Sequence, residues 1–133
     1  MKKLNRVVVT GYGLTSPIVS TPEECWDRLV NSKIGIGKIT KFDTSEYSVH
    51  NAAEIKDFPF DKYFVKKDTN RYDNYSLYAL YAAREAVANA NLDTEAVDSD
   101  RFGVILSTGI GGILEIEEQV ARMNEKGPKR IRP

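Results

Sequence analysis

Residues 101–112 read Arg-Phe-Gly-Val-Ile-Leu-Ser-Thr-Gly-Ile-Gly-Gly, and the class of fold turns on them. Phe102 to Leu106 is a short apolar run rich in β-branched side chains, the mark of a strand covered on both faces. It leads directly into Ser107-Thr108-Gly109-Ile110-Gly111-Gly112, after which the spacing turns helical. Glycines on both sides of Ile110 permit left-handed backbone and let a ligand or another chain come close. A large apolar side chain on such a turn has no strand or helix face to bury it. Ile110 therefore points into a pocket or a subunit contact, or else caps the local core.

The flanks alternate in the same way. Downstream, Ile113, Ile116, Val120 and Met123 form one stripe of a helix over 113–126. Glu115, Glu117 and Glu118 crowd its start, Arg122 and Lys126 its end, and Gly127-Pro128 stops it. Upstream, residues 91–100 make an acidic connector, and residues 72–89 read as a helix apolar on nearly all sides, buried in the middle of its neighbours. Residues 61–70 mix aromatics with Lys62, Lys66 and Lys67, residues 52–55 suit a short edge strand, and residues 35–47 read as a loop. Thr21-Pro22-Glu23-Glu24 is a capping box with proline at the first helical position, opening a helix that carries Cys25, Trp26, Leu29 and Val30 on one face. Arg6 to Thr10 is a second buried-strand pattern, left through the turn Gly11 to Pro17. Strands alternating with helices predict a single α/β unit. A chain of 133 residues is long enough for one domain with its own core.

Nineteen lysines and arginines balance nineteen aspartates and glutamates, so no overall basic field exists for nucleic acid. No apolar run approaches the roughly 18–20 residues that span a bilayer. The apolar run after the first six residues is too short for a signal-peptide core, and one cysteine forms no internal disulfide. The expectation is a soluble, cytoplasmic protein. No residues have metal-ligand spacing, and no Ser/His/Asp or Cys/His set can be assembled. Cys25 beside Trp26 reads as packing, and His50 as a surface residue.

Val7-Val8-Val9-Thr10-Gly11-Tyr12-Gly13 looks like the start of a dinucleotide-binding fingerprint. That chemistry needs a third glycine where the helix opens, whereas here Leu14 to Ser20 intervene. The second glycine turn also precedes a helix, but the three glutamates there would repel a phosphate.

Taken together, Val7 to Pro17, Phe42-Asp43-Thr44-Ser45, Lys67 to Glu85, Ser107 to Gly112 and Gly127-Pro128-Lys129-Arg130 closely resemble, in order and spacing, the N-terminal part of the β-ketoacyl-acyl carrier protein synthase II family. These are the elongating condensing enzymes of type II fatty-acid synthesis. The resemblance covers the whole chain and departs from the family at Val19-Ser20, where Gly-Asn is common.

The resemblance implies a thiolase-like α/β fold, with residues 1–133 forming the N-terminal portion of its first half, in a homodimer. It implies transfer of an acyl group from acyl carrier protein to a cysteine, then decarboxylation of malonyl-acyl carrier protein and condensation of the two. The family's catalytic cysteine and two histidines match no position up to Pro133, so the resemblance implies no catalytic residue, metal or cofactor in this chain and no activity of the chain alone. Cys25 and His50 do not match them. Ile110, with Gly109 and Gly111, matches the acyl-chain pocket at the dimer interface. Lys67, Arg71, Lys129 and Arg130, with Lys66 beside them, match positions that meet the acidic carrier protein. Asn70 stands where other members carry a base. Two alternatives stay open: a non-catalytic chain-length or carrier-docking partner subunit, and a nucleotide-binding oxidoreductase resting on the Thr10 to Gly13 turn.

Overall fold

Helix α3, Asn74–Asn89, carries the buried core, and the glycine segments at 11–13 and 111–112 meet it. The computed structural model describes residues 4–19 and 21–131. In chain order these form α1 (Pro22–Val30), β1 (Ile36–Lys38), β2 (Asn51–Ala53), α2 (Lys66–Thr69), α3 and α4 (Ile113–Lys126), with 3-10 turns at Phe60–Lys62, Ser99–Arg101 and Pro128–Arg130. The Asp73 side chain caps α3 by accepting from the Tyr75 N–H at 3.1 Å, so the helix opens two residues later than its apolar pattern suggests.

One face of α3 carries the core. Leu77 and Tyr81, one turn apart, are fully buried against Phe64, and Phe58, Phe60 and Tyr63 pack around them. The rings meet edge-on, Phe58 and Tyr81 with centroids 4.7 Å apart and Tyr63 and Tyr81 at 5.0 Å. Such geometry sets the positive edge of one ring on the negative face of another.

A second face of α3 takes the segment that resembles a nucleotide fingerprint. A Cβ built on Gly13 would collide with the Ala82 carbonyl oxygen and lie 2.7 Å from the Ala86 nitrogen. One built on Gly11 would collide with the Ala86 carbonyl oxygen and lie 2.7 Å from the Ala90 nitrogen. Each glycine thus covers one hydrogen bond of the helix. Two residues of extended chain advance about 6.6 Å, close to the roughly 6 Å that four helical residues rise. That match is why glycines two apart fit alanines four apart. The Tyr12 N–H between them donates to Asn89 Oδ1 at 3.2 Å. These glycines serve helix packing, which removes the main argument for an oxidoreductase.

The remaining surface of α3 is open, which corrects the expectation of a helix buried all round. Tyr75 and Leu80 are exposed. The two sequence-predicted strands differ more. Neither residues 6–10 nor 102–106 enter a hydrogen-bonded ladder, and both are exposed, with Val7 at 89 % and Ile105 at 93 %. A strand needs a neighbour to satisfy its backbone, and the described residues offer none to either segment.

The sheet present is instead an antiparallel pair, β1 with β2, in register Ile36↔Ala53 and Lys38↔Asn51. It places a strand inside the stretch that reads as a loop. Glu54 closes the pair: its carboxylate accepts from the Thr40 hydroxyl at 2.8 Å and from the N–H groups of Thr40 and Lys41. The Thr40 hydroxyl chiefly holds the Glu54 pKa below the ordinary carboxylate value, against the opposing effect of burial.

α1 begins as its capping sequence dictates, with Thr21 Oγ1 accepting from the Glu24 N–H at 3.4 Å. Only that half of the box forms, because the Glu24 carboxylate turns to Arg28 at 2.9 Å. Its apolar face is also open: Cys25 is half-buried and Trp26, Leu29 and Val30 are exposed. α4 has the predicted bounds and ends on Gly127 at φ +79°, yet Ile113, Ile116, Val120 and Met123 remain exposed, the last three along a groove shared with Ile131.

Candidate functional site

The glycine turn 107–112 sits over the start of α3, and Gly111 and Gly112 are glycine for different physical reasons. Gly111 has φ +81°, a conformation that other residues adopt only under strain, and its N–H donates to Thr108 Oγ1 at 3.1 Å. Gly112 has φ −86°, which any residue tolerates, but a Cβ there would collide with Asp73 Oδ2 and lie 2.8 Å from Asp73 Cγ. Gly109 faces open space. Ile110, at the tip, is 73 % exposed. Next to the turn, Tyr72, Tyr75, Ser76, Ala79 and Leu80 face Leu106, Ser107 and Thr108 across a cleft of about 530 Å³. The Tyr75 ring lies 3.8 Å from where a Gly111 side chain would begin, so the turn rests on that ring.

The five basic candidates fall into two groups. Lys66 and Lys67 are exposed on α2, and Arg71 follows it with its guanidinium 5.7 Å from the Tyr72 ring. Lys129 and Arg130 are exposed on the turn after α4. The start of α4 shares a cleft with Asn70 and Arg71, so Leu114, Glu115 and Glu118 stand beside the first group. The second group follows the other end of this 14-residue helix, about 21 Å long. The basic residues thus fall in two groups, with Glu115 and Glu118 of α4 beside one of them.

Cys25 and His50 are not brought into a catalytic pair. His50 Nδ1 lies 3.3 Å from Thr44 Oγ1, on a different element from Cys25. Among the described residues, no three His, Cys, Asp or Glu side chains cluster to hold a metal ion, and no helix is long and apolar enough to cross a membrane.

A polar cluster escapes the sequence reading. Glu85, on α3, accepts from Lys62 Nζ at 2.6 Å and from the Tyr63 hydroxyl, while Arg84 donates to the Tyr63 carbonyl. Burial pushes the Glu85 pKa up, but the hydrogen bonds from Lys62 and Tyr63 and the Lys62 charge outweigh it, leaving a net lowering from 4.5. The bond to Glu85 raises the Lys62 pKa from 10.5. The sign follows for each partner. Glu85 stabilises the fold above its unfolded pKa and loses that contribution as pH falls through the lowered folded value. Lys62 contributes below its unfolded pKa and loses it as pH rises through the raised one. Half the Lys62 side chain is exposed, so the pair is worth about 1 kcal/mol. Glu85→Gln should cost that amount in urea unfolding at neutral pH, and the difference should shrink as pH falls below the 4.5 reference. A pH-independent difference would remove the ionic explanation.

Residues 4–133 match the family described as "Beta-ketoacyl synthase, N-terminal domain". The chain is 41% identical over 133 residues to 3-oxoacyl-[acyl-carrier-protein] synthase 2 of Staphylococcus aureus (strain COL), covering 100% of this chain and 32% of that protein. Two solved structures share its fold. One is the ishigamide ketosynthase/chain length factor, with TM-score 0.72 and 27% identity, over 95% of this chain and 32% of the other. The second is a type II polyketide synthase acyl-carrier protein in complex with its ketosynthase bound to the hexaketide, with TM-score 0.74 and 24% identity, over 95% of this chain and 33% of the other. The chain thus spans about a third of the length of the curated relative and of each structural neighbour. With the family match running from residue 4 to residue 133, the chain belongs to the β-ketoacyl synthase family, in the family's N-terminal domain.

Proposed function

We propose that these residues form the front of an acyltransferase that elongates fatty acids, and that their own part in it is to build one wall of the acyl pocket and a carrier-protein landing site. The observation that carries this reading is the exposed Ile110, on a glycine turn whose first residues, Ser107 and Thr108, line the cleft, in a chain 41% identical throughout to a 3-oxoacyl-[acyl-carrier-protein] synthase.

The proposed chemistry has two steps. A cysteine thiolate supplied by another part of the synthase attacks the carbonyl of an acyl thioester, and the carrier-protein thiol leaves. Malonyl thioester then loses CO2, and its carbanion attacks the enzyme-bound acyl carbonyl, expelling the cysteine. Two histidines, also outside residues 1–133, assist. The thiolase-like architecture, the homodimer and the cytoplasmic location belong to the same proposal. So do the roles of Gly109, Ile110 and Gly111 at the pocket and of Lys66, Lys67, Arg71, Lys129 and Arg130 toward an acidic carrier protein. Rim charges of that kind chiefly set encounter rate and partner choice. One of the two structural neighbours is a carrier protein in complex with its ketosynthase, which supports that partner class.

Ile110→Phe is the test, made in a full-length synthase carrying these residues. A larger ring in a packed pocket costs about 1–3 kcal/mol. Condensation from long acyl donors should fall by the corresponding factor while short donors are still used. Equal rates across donor lengths would sink the pocket assignment.

A further inference from the structure

We infer that Asp73 is the positioning residue of the Ile110 turn, a clamp that ties the turn to the start of α3 and so helps set donor-length preference. The inference rests on the proposed pocket role of Ile110. Its structural part stands independently.

The Ile113 and Ile116 N–H groups of α4 bind the Gly111 and Gly112 carbonyls, and three further contacts bear on the turn. Thr108 Oγ1 accepts from the Gly111 N–H at 3.1 Å, closing the turn on itself. The Tyr75 ring supports Gly111 from below. The Asp73 carboxyl lies against Gly112, with Cγ 2.8 Å and Cβ 3.2 Å from the point where a side chain would start. The first contact is internal to the turn, and at Gly111 and Gly112 the neighbours from the start of α3 are Tyr75 and Asp73. Tyr75 meets the Gly111 position with Cζ and the hydroxyl oxygen, both 3.8 Å away, an ordinary van der Waals distance that leaves the turn room to shift. Asp73 is itself held, because its other oxygen accepts from the Tyr75 N–H as the cap of α3. Glycine at 112 has no backbone reason at φ −86°. Its reason is the carboxyl it must admit. The clamp therefore sits between Arg71, two residues before it, and Ile110, two residues before Gly112.

The test separates clamp from cap. Asp73→Gly removes the three Asp73 atoms that a Gly112 side chain would meet, while glycine at a helix N-cap keeps most of the stability that alanine there would lose. Asp73→Asn keeps both shape and cap. Amide hydrogen exchange over residues 107–113 should rise about tenfold in Asp73→Gly and in Gly112→Ala, and stay near the parent in Asp73→Asn. In the double variant Asp73→Gly/Gly112→Ala, exchange should be no faster than in Asp73→Gly alone, since the collision has gone. Additive effects, or unchanged exchange in Asp73→Gly, would overturn the clamp. In the full-length synthase, Gly112→Ala should lower the long-to-short donor ratio of kcat/KM about tenfold, because misplacing a positioned contact costs rate. If Ile110→Phe changes that ratio and Gly112→Ala does not, the specificity role is wrong. If neither changes it, the pocket reading of Ile110 fails, and exchange alone decides the clamp.

Discussion

Alanine at Gly13 should destabilise this chain by about 3 kcal/mol, the upper end of what overfilling a packed site costs. The added methyl would land on the Ala82 carbonyl oxygen and 2.7 Å from the Ala86 nitrogen. Those atoms are the two ends of one helical hydrogen bond, so neither can retreat without breaking the helix. The third neighbour, Glu85 Cβ at 2.8 Å, is held through its carboxylate by Lys62 and Tyr63. Residues 11–13 would have to lift off α3, taking the Tyr12 to Asn89 bond with them. Gly37→Ala is the control, because nothing lies within 4 Å of a side chain there and the substitution mainly restricts the unfolded chain. Urea unfolding followed by circular dichroism compares the two. A Gly13→Ala midpoint close to that of Gly37→Ala would show that the segment does not dock on α3.

Local chemistry is legible in the sequence; pairing is not. The bounds of α4 follow from its glycine start and its Gly127-Pro128 stop, and α1 opens where Thr21-Pro22 demands. The apolar pattern puts the start of α3 too early because Tyr72 extends it, while the capping side chain of Asp73 overrides it. β1 is three residues with Gly35 before it and Gly37 within it, has no alternation long enough to detect, and is held by β2 and Glu54. The Lys62, Tyr63 and Glu85 cluster joins positions 22 and 23 residues apart, and no periodicity announces such a contact. Gly11 and Gly13 stand out in the sequence but suggest a phosphate turn, because their spacing suits both a tight turn and four residues of helix. Glycines also mark the Ile110 turn, yet the separate demands of Gly111 and Gly112 depend on φ and on Asp73. The two β-branched runs have strand sequences, and what they lack among the described residues is a neighbour.

That lack sets the second large expectation: the 133-residue chain on its own should run as an assembly larger than a dimer. Its accessible surface is 11425 Å². A compact protein of 15.0 kDa exposes about 7,000 Å², so the excess is about 4,400 Å². A standard interface buries about 800 Å² on each partner and a large obligate one up to about 2,500 Å². One symmetric contact therefore leaves much of the excess in water. The surface in question is apolar where it matters, with Val7, Val9, Val104 and Ile105 all at least 72 % exposed on segments whose backbone groups are also free of any ladder. Only Phe64, Leu77 and Tyr81 form a buried apolar core among the described residues, too few to hold the open faces apart. Sedimentation velocity on the purified chain should show species well above 15.0 kDa, and an apolar dye should brighten on them. Lys or Glu at Val7 and Ile105 should shift the distribution toward smaller species, since charges on an open edge oppose pairing with another copy. A monodisperse 15.0 kDa species that leaves the dye dark would mean that these segments find cover within the chain, contrary to their open arrangement.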